Sequence, residues 1–364
     1  MKKSVYEAFF KNDAGFAFSI NKFAEKAELT TPFYRKWFPD NEINATSFDA
    51  FINSNNFAVA AAVTGWNSSA PLSGDEKMAK KHIESLIIQR GKTRTEKELT
   101  DIRHSILTGN MSIIQREFYN DVAFCKTSVD LAQNALVLQL LSTGKATLTA
   151  ANNEGGAPTG VILDYGIGAD QKKSASISWA TSATADPISD IETVVNNAYE
   201  SQGITFSKIL MGRTTINKML ACDKVKAATV TMPVTNGKTV NYSNYRVSLE
   251  DFNLILLRYN LPIIEEVPEK VRMESAKGTR GMVQVWAQDI CTFITNDLQG
   301  SFNYSKPIEE IDGAMGTLIA SLDTVTIKQS YDDDPVLQKT IGKKIGAPAW
   351  EQAGEVILFD ATPA

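Results

Sequence analysis

The longest regular pattern of apolar positions lies between Met111 and Gly144. Apolar side chains recur there at steps of three and four residues, which is the period of one helical face: Ile114, Phe118, Val122, Cys125, Val129, Ala132, Leu136 and Leu140. Ser112 and Gln115 have the spacing of a capping box, and Gly144 suits a left-handed cap at the other end. The pattern predicts one helix over residues 112–143, about 45 Å long at roughly 1.5 Å per residue. A long core helix of an ordinary domain would show the same periodicity.

The first forty residues carry more aromatic side chains than so short a stretch can cover by itself. Two short amphipathic patterns, Val5–Phe10 and Ile20–Leu29, contain or flank Phe9, Phe10, Phe16, Phe18 and Phe23. Exposed aromatic clusters of this kind mark contact surfaces. Pro32 and Pro39 then bracket the end of the segment. The pattern predicts an arm that docks either on the body of the protein or on a neighbouring molecule.

The next part of the chain has the pattern of a projecting two-stranded loop. Thr46–Phe51 alternates with period two, Gly65–Gly74 is rich in turn residues, and His82–Gln89 returns as an apparent strand before the charged segment Lys92–Arg103. A two-stranded arm is marginal alone in water, so it needs cover from elsewhere. A flexible surface hairpin is the alternative interpretation.

Beyond the long helix, short strands and helices are mixed. Ala146–Thr149 and Gly160–Tyr165 predict a hairpin, and Asp186 followed by Pro187 predicts the start of a helix that runs to about Tyr199. Further predicted elements are the strands Phe206–Met211, Ile263–Val267, Thr324–Ser330 and Glu355–Phe359, one or two strands in Met282–Thr295, the helices Arg213–Ala221 and Leu249–Tyr259, and a hairpin around Asn236-Gly237. The last strands are expected to return to the region of the long helix.

Composition excludes several classes of protein. With 364 residues, 43% of them hydrophobic, the chain can bury a sizeable core and form more than one subdomain. A net charge of −5 argues against tight, direct binding of DNA or RNA. No apolar run has the length of a membrane span, and Met1–Ile20 lacks the order of a signal peptide, so we expect a cytoplasmic protein without membrane partners. Three distant cysteines, Cys125, Cys222 and Cys291, are predicted to be buried free thiols.

Candidate catalytic and ligand-binding motifs are weak. Gly166 and Gly168 are half of a dinucleotide fingerprint and are better explained as a turn. The run Asp332–Pro335 lacks the spaced ligands of a calcium loop, which favours an acidic turn. His82 and His104 are too few and too far apart for a zinc site or a catalytic triad. We therefore predict a protein that is not an enzyme, with no catalytic residue, cofactor or metal.

Several short segments follow one another in an order that one known family shares. They are Trp37-Phe38-Pro39, Thr46–Phe51, Arg116-Glu117, Leu140–Lys145, Leu163-Asp164-Tyr165-Gly166, Trp179, Asp186-Pro187-Ile188-Ser189-Asp190, Ile209-Leu210-Met211-Gly212, Tyr331-Asp332-Asp333-Asp334-Pro335 and Ala347-Pro348-Ala349. In this order they resemble the lambda-like major capsid protein E family of tailed phages, over about residues 30–360. Each segment is unspecific alone, and the shared order carries the resemblance.

The resemblance implies an α+β structure with the Johnson (HK-ninety-seven-type) fold of tailed-phage and herpesvirus shells. The implied division is an N-terminal arm (1–40), an extended-loop region (41–105), a peripheral domain with the spine helix (106–180), an axial domain (181–319) and return strands of the peripheral domain (320–364). The arm and the loop would then bury their apolar surface on neighbouring subunits.

The implied function is self-assembly into hexamers and pentamers of an icosahedral head shell around double-stranded DNA. At the tip of the loop, Gly65, Trp66, Pro71 and Gly74 are the expected assembly residues. The implied partners are other copies of the chain, a scaffolding protein, a portal and a decoration protein, with the packaged DNA enclosed but not bound by sequence. Two alternatives stay open: another phage structural protein, such as a tail or head-joining component, and a soluble enzyme.

Overall fold

A computed structural model describes residues 31–52, 79–108, 111–149, 160–229, 246–274, 279–313 and 317–363, together with Gly15, Ser19 and Asn153. Within these residues the helices are α1 (Glu96–Leu107), α2 (Met111–Thr143), α3 (Pro187–Gln202), α4 (Arg213–Ala221), α5 (Asp223–Thr229), α6 (Leu249–Arg258) and α7 (Ile308–Asp312). Short 3-10 segments cover Phe33–Lys36 and Glu351–Glu355.

The strands alternate with these helices along the chain. They are β1 (Asp40–Glu42), β2 (Ser47–Ile52), β3 (Ala79–Glu84), β4 (Leu86–Thr95), β5 (Lys145–Leu148), β6 (Gly160–Asp164), β7 (Lys172–Ser174), β8 (Lys208–Gly212), β9 (Ile263–Val267), β10 (Lys270–Glu274), β11 (Arg280–Gln284), β12 (Ile290–Ile294), β13 (Gly300–Ser305), β14 (Thr317–Leu322), β15 (Val325–Asp333), β16 (Val336–Trp350) and β17 (Ile357–Asp360).

The chain forms two compact units. One comprises residues 1–48, 82–135 and 301–349, and the other comprises residues 49–81, 136–300 and 350–364. Helix α2 contributes residues to both units. This grouping by contacts does not follow the five segments expected from the sequence, and the assignment of arm, peripheral and axial domains stays a prediction.

Helix α2 confirms the prediction of a single long helix. It has 33 residues, and its apolar stripe is buried at Phe118, Val122, Cys125 and Val129. Gly144 follows in the left-handed conformation (φ +76°), and its N–H donates to the carbonyl of Leu140 at 2.8 Å. The expected C-terminal cap is therefore present. The proposed capping box at residues 112 and 115 lies where side chains are outside the described part of the structure.

In the first unit, α2 packs on a sheet of order β1-β13-β16-β15-β14, and β4 pairs with a further stretch of β16. Leu318, Val325 and Ile327 from β14 and β15 share a core with the stripe of α2. The expectation that late strands return to the long helix is confirmed for Thr324–Ser330, which corresponds to β15. Helix and sheet approach closely at Gly342, where an added Cβ would lie 3.0 Å from the carbonyl oxygen of Cys125.

Strand β16 is the longest strand described, yet its sequence carries no strong strand signal. Its burial alternates, but the inward positions include Gln338, Thr340 and Lys344 rather than apolar residues. Further along, the backbone of β13 passes so close to Gly346 that an added Cβ would lie 2.5 Å from the carbonyl oxygen of Asn303. Period-two hydrophobicity is absent because this strand packs polar and very small residues inward.

The second unit is built on a mixed five-stranded sheet of order β7-β17-β12-β8-β9. Helices α3 to α6 share the core of this sheet, and Trp179, Met219, Phe252 and Phe293 are among its buried side chains. Strand β17 pairs with β12 and β7. It therefore belongs to this sheet and not to the sheet beside the stripe of α2.

The outer edge of β9 is closed by a side chain. Asn253 of α6 accepts from the N–H of Ile264 at 2.8 Å and donates to the carbonyl of the same residue at 2.9 Å. The carboxamide thus satisfies both hydrogen-bonding groups that Ile264 would otherwise offer to a further strand.

Most of the other predicted elements are present within one to three residues of their expected ends. The main differences lie before α2: the single strand expected at 82–89 is two strands with a break at Ser85, and the charged segment 92–103 is the end of β4 followed by α1. The hairpin expected around residues 236 and 237 lies outside the described residues. The three cysteines are free and buried, as predicted.

Candidate assembly surface

Strands β2 and β3 form a two-stranded sheet, which we call the stem because it flanks the predicted loop. Lys80 forms an ion pair with Asp49 at 2.8 Å, and its Nζ lies 5.9 Å from the ring centroid of Phe51. The Phe51 side chain is 52% exposed. The predicted tip residues Gly65, Trp66, Pro71 and Gly74 lie outside the described residues. The structure thus shows a stem with an exposed aromatic ring on one of its strands.

Strand β4 continues from this stem into the sheet of the first unit. At the break, the N–H of Ser85 donates to the carbonyl of Thr46 at 2.9 Å. Beyond it, β4 pairs antiparallel with β16, from Leu86 opposite Gly346 to Thr95 opposite Leu337. The register of this long pairing fixes the residue at which the chain passes from the stem into the sheet.

A buried ionic cluster fastens β4 to α2. The Nε of Arg94 contacts Asp121 at 2.5 Å, and Lys92 contacts the other carboxylate oxygen of Asp121 at 2.7 Å. Glu117, one turn earlier on α2, lies 3.0 Å from Arg94. Arg94 and Asp121 are 7% and 2% exposed. Buried charges require such pairing, so the cluster holds the far end of β4, which leads into α1, against α2.

A second cluster holds the end of the N-terminal segment. The fully buried ammonium of Lys344 donates to Asp40 at 2.6 Å, to Thr324 at 2.8 Å and to the hydroxyl of Tyr34 at 3.1 Å. It also lies 4.9 Å from the ring centroid of Phe302. Burial lowers the pKa of Lys344 despite the opposing charge of Asp40. Lys344 thus holds both Tyr34 and Asp40, which lie at the C-terminal end of the predicted arm.

Arg35 extends this cluster toward α2. It contacts Asp40 and Asp323 at 2.5 Å each, and Asp323 lies 3.7 Å from Lys126. Lys126 is paired with Asp130 one turn further along the helix. Burial raises the pKa of the Asp130 carboxyl, and the ammonium of Lys126 opposes that rise. The cluster therefore joins the 3-10 segment, the β14–β15 turn and the helix in one unit.

Glu309 of α7 is held by two lysines of the neighbouring strands. Lys328 contacts it at 3.1 Å and Lys343 at 3.0 Å. Burial raises the pKa of the Glu309 carboxyl, but its own backbone N–H and the two ammonium groups outweigh burial and lower that pKa to about 2. The carboxylate stays charged at every physiological pH.

Apolar side chains remain exposed on both units. Those more than half exposed include Phe51, Ile87, Leu107, Tyr199, Leu254, Leu257, Tyr259, Met282, Leu298, Ile308 and Ile311. Several are grouped: Leu254 and Leu257 on α6, and Ile308 and Ile311 on α7. Grouped apolar side chains at a surface are typical of protein contacts.

The motifs considered for catalysis have structural explanations. Gly166 adopts φ +66° and its N–H donates to the carboxylate of Asp164 at 2.8 Å, which is a turn after β6. Asp334 and Pro335 form the tight turn between β15 and β16, and Lys339 contacts Asp332 at 2.5 Å. Among the described residues, no cluster of three side chains could hold a metal ion, and no described helix is long and apolar enough to cross a membrane.

The buried ionic residues are what sequence reasoning missed. Asp121, Lys126 and Asp130 stand directly beside the apolar positions Val122, Cys125 and Val129 of the long helix. The spacing of Lys126 and Asp130 is that of a helical ion pair. The sequence therefore contained a local indication of the ion pair between Lys126 and Asp130. Lys344 follows another lysine and precedes Ile345 and Gly346, so nothing in its surroundings marks it as buried.

Three features together define a class of fold. They are a long helix packed on a largely antiparallel sheet, a two-stranded stem that precedes them in the sequence, and a unit of mixed sheet and helices. The chain has the α+β capsid fold of the HK97 type, also called the Johnson fold, as predicted.

Two solved structures illustrate this likeness. A phage-related protein of Bordetella bronchiseptica RB50 is 11% identical, with a TM-score of 0.50 over 95% of this chain and 97% of that chain. A candidate capsid protein of a prophage of Escherichia coli CFT073 is 12% identical, with a TM-score of 0.52 over 94% and 98%. No protein-family model matches the sequence, and no curated protein matches it. At these identities the likeness concerns the fold.

Proposed function

We propose that this chain is the major capsid protein of a tailed phage, which assembles into hexamers and pentamers of the icosahedral head shell. The observation that carries the proposal is the extent of the fold: the likeness covers 94% of this chain and 98% of the prophage capsid candidate. The likeness therefore extends over nearly the whole of both chains and is not confined to one part of the fold.

The surface supports the same function. The stem exposes Phe51 at its side, and it is a two-stranded sheet that gains stability when another surface covers it. An ionic cluster centred on Lys344 holds the end of the N-terminal segment, and one centred on Asp121 holds β4, the strand that follows the stem, against α2. Contacts between subunits that involve the N-terminal segment and the loop require that the neighbouring parts of the chain keep fixed positions.

Within this class, we infer that the chain belongs with the lambda-like E proteins. The segments that carry the resemblance occupy constrained positions, which supports the inference. Trp37 and Phe38 are fully buried, Asp186 caps α3 through the N–H of Ser189, and Gly166 forms the left-handed turn after β6. The division into an arm (1–40), extended loop (41–105), peripheral domain (106–180 and 320–364) and axial domain (181–319) is part of this proposal.

The proposed partners follow from the shell. They are other copies of the chain, a scaffolding protein, the portal and a decoration protein, and the site of action is the virion after assembly in the cytoplasm of the bacterial host. The net charge of −5 favours a shell that encloses double-stranded DNA without binding it tightly.

Negative-stain electron microscopy with sedimentation velocity tests the proposal. We expect hexamers, pentamers, sheets or closed shells of the purified protein. A homogeneous monomer or dimer over a range of salt and protein concentrations, even with a candidate scaffold co-expressed, would contradict it.

A further inference from the structure

Helix α6 has one buried face and one apolar face that the described residues leave exposed. Phe252 and Leu256 point into the core of the second unit. On the other side, Glu250, Leu254 and Leu257 are spaced by four and three residues and so form one stripe. Leu254 and Leu257 are 58% and 56% exposed. The stripe, which we call the α6 stripe, has the carboxylate of Glu250 at its first turn, the two leucines beyond it and the exposed Arg258 at its last turn.

A second exposed surface of the same unit carries cations, which are opposite in charge to Glu250. Strands β10 and β11 form a two-stranded ribbon in which Arg272 pairs with Met282 and Lys270 with Gln284, so these four side chains share one face. Met282 is 62% exposed, whereas Val271 on the opposite face is buried. We call the exposed side the ribbon face.

The cations of the ribbon face are available for a partner. Among the described residues, neither Lys270 nor Arg272 forms an ion pair, whereas Arg280 near the end of the ribbon is paired with Glu274 at 3.2 Å. The ribbon face thus combines two positive charges with an exposed thioether. Methionine is well suited to packing against another apolar surface.

From this complementarity we infer that the ribbon face of one copy docks on the α6 stripe of a second copy of this chain. Arg272 and Lys270 face Glu250, and Met282 packs against Leu254 and Leu257. The two surfaces differ, so the contact is heterologous and repeats from head to tail, and it gives a ring where the rotation between copies closes. The inference rests on the proposed function, because it names the contact by which copies join into capsomers.

Charge reversal of the full-length protein tests the contact. We expect Arg272→Glu and Glu250→Arg each to raise the protein concentration needed for half-maximal assembly by at least about tenfold, because each places like charges opposite one another. The double variant carrying both changes restores opposite charges and should assemble within about threefold of the wild type. Sedimentation velocity measures the assembled fraction, and far-UV circular dichroism of the unassembled protein checks that each variant folds.

Mixing the two single variants gives a sharper result. In a ring where Arg272→Glu and Glu250→Arg subunits alternate, the side chains at positions 272 and 250 meet with opposite charge at every contact. Two neighbouring subunits of the same variant instead bring like charges together. Complete alternation is possible only in rings with an even number of subunits. We therefore expect an equimolar mixture to form hexamers and no pentamers by electron microscopy.

Matched controls are Lys173→Glu and Glu192→Arg, exposed charges elsewhere on the same unit, which should assemble like the wild type. The inference is overturned, and the proposed function stands, if the wild type assembles and the single variants assemble equally well. It is also overturned if the single variants fail and neither the double variant nor the mixture recovers. If the wild type does not assemble, both proposals fall.

Discussion

Removing the carboxylate of Asp121 is expected to weaken the junction between β4 and α2. Asp121 contacts Arg94 at 2.5 Å and Lys92 at 2.7 Å, and it is 2% exposed. In Asp121→Leu, the buried guanidinium of Arg94 keeps the more exposed Glu117 but loses its buried partner. Breaking a buried ion pair on one side costs about 3–5 kcal/mol, because a charge is left poorly compensated.

The reverse change should cost less. In Arg94→Met, Asp121 keeps Lys92, whose side chain is 42% exposed and can follow the carboxylate, so we expect a loss of about 2–3 kcal/mol. Replacing both members by Met and Leu removes both desolvated charges at once. The double variant should therefore lie within about 1 kcal/mol of the wild type, because an apolar pair of similar volume is often neutral.

Hydrogen exchange measured by mass spectrometry on peptides of β4 and α2 reports this junction locally, and urea unfolding of the unassembled protein gives the free energy of unfolding. The two single changes and the double change form a cycle with an expected coupling of at least about 2 kcal/mol. Lys97→Met, an exposed change on α1, serves as the control and should stay within about 0.5 kcal/mol. A double variant as unstable as the sum of the singles would refute the reasoning, because it would show that Arg94 and Asp121 act independently.

Deleting Gly65–Gly74 should leave the protein folded, with unchanged circular dichroism, and prevent shell formation in electron micrographs; normal shells would show that the assignment of the loop is wrong. Gly346→Ala should lower the free energy of unfolding by about 1–3 kcal/mol through overpacking against the β13 backbone, whereas Gly281→Ala, with open space around its Cβ, should be nearly neutral in the same urea titration. Because the folded-state pKa of Glu309 is lowered to about 2, its contribution to stability is present above the unfolded pKa of about 4.3 and lost as pH falls toward 2. Melting temperatures between pH 5 and 2.5 should therefore fall more steeply for the wild type than for Glu309→Gln, and parallel curves would contradict this.

The elements best predicted from the sequence are those whose residues carry their own signal. The helix over residues 112–143, the N-cap at Asp186 and the left-handed turn at Gly144 depend on periodicity and on local backbone preferences. These signals act within a few residues, so they can be read without knowledge of the remaining chain. The fold itself was predicted from the order of short segments and not from any one of them.

The elements that were missed depend on distant parts of the chain. Strand β16 is stabilised by pairing with β13, β15 and β4, and its inward side chains are polar because they meet other polar groups there. Lys344 is buried because Asp40, some three hundred positions earlier, supplies the opposite charge. Long-range pairing of this kind leaves no periodic trace, so neither the strand nor the ionic cluster could be found from local patterns. The loop-tip residues stay a prediction.

The carboxamide of Asn253 has a consequence for the proposed assembly of this chain with its own copies. Because it presents one donor and one acceptor to Ile264, it imitates the peptide group of an additional strand and terminates the sheet. A sheet that ended in an open strand could recruit an identical chain and grow without limit as a fibre. Because the Asn253 side chain occupies the backbone groups of Ile264, it opposes the addition of a strand from another copy at this position. Association between copies is then favoured at other surfaces, which can form closed assemblies.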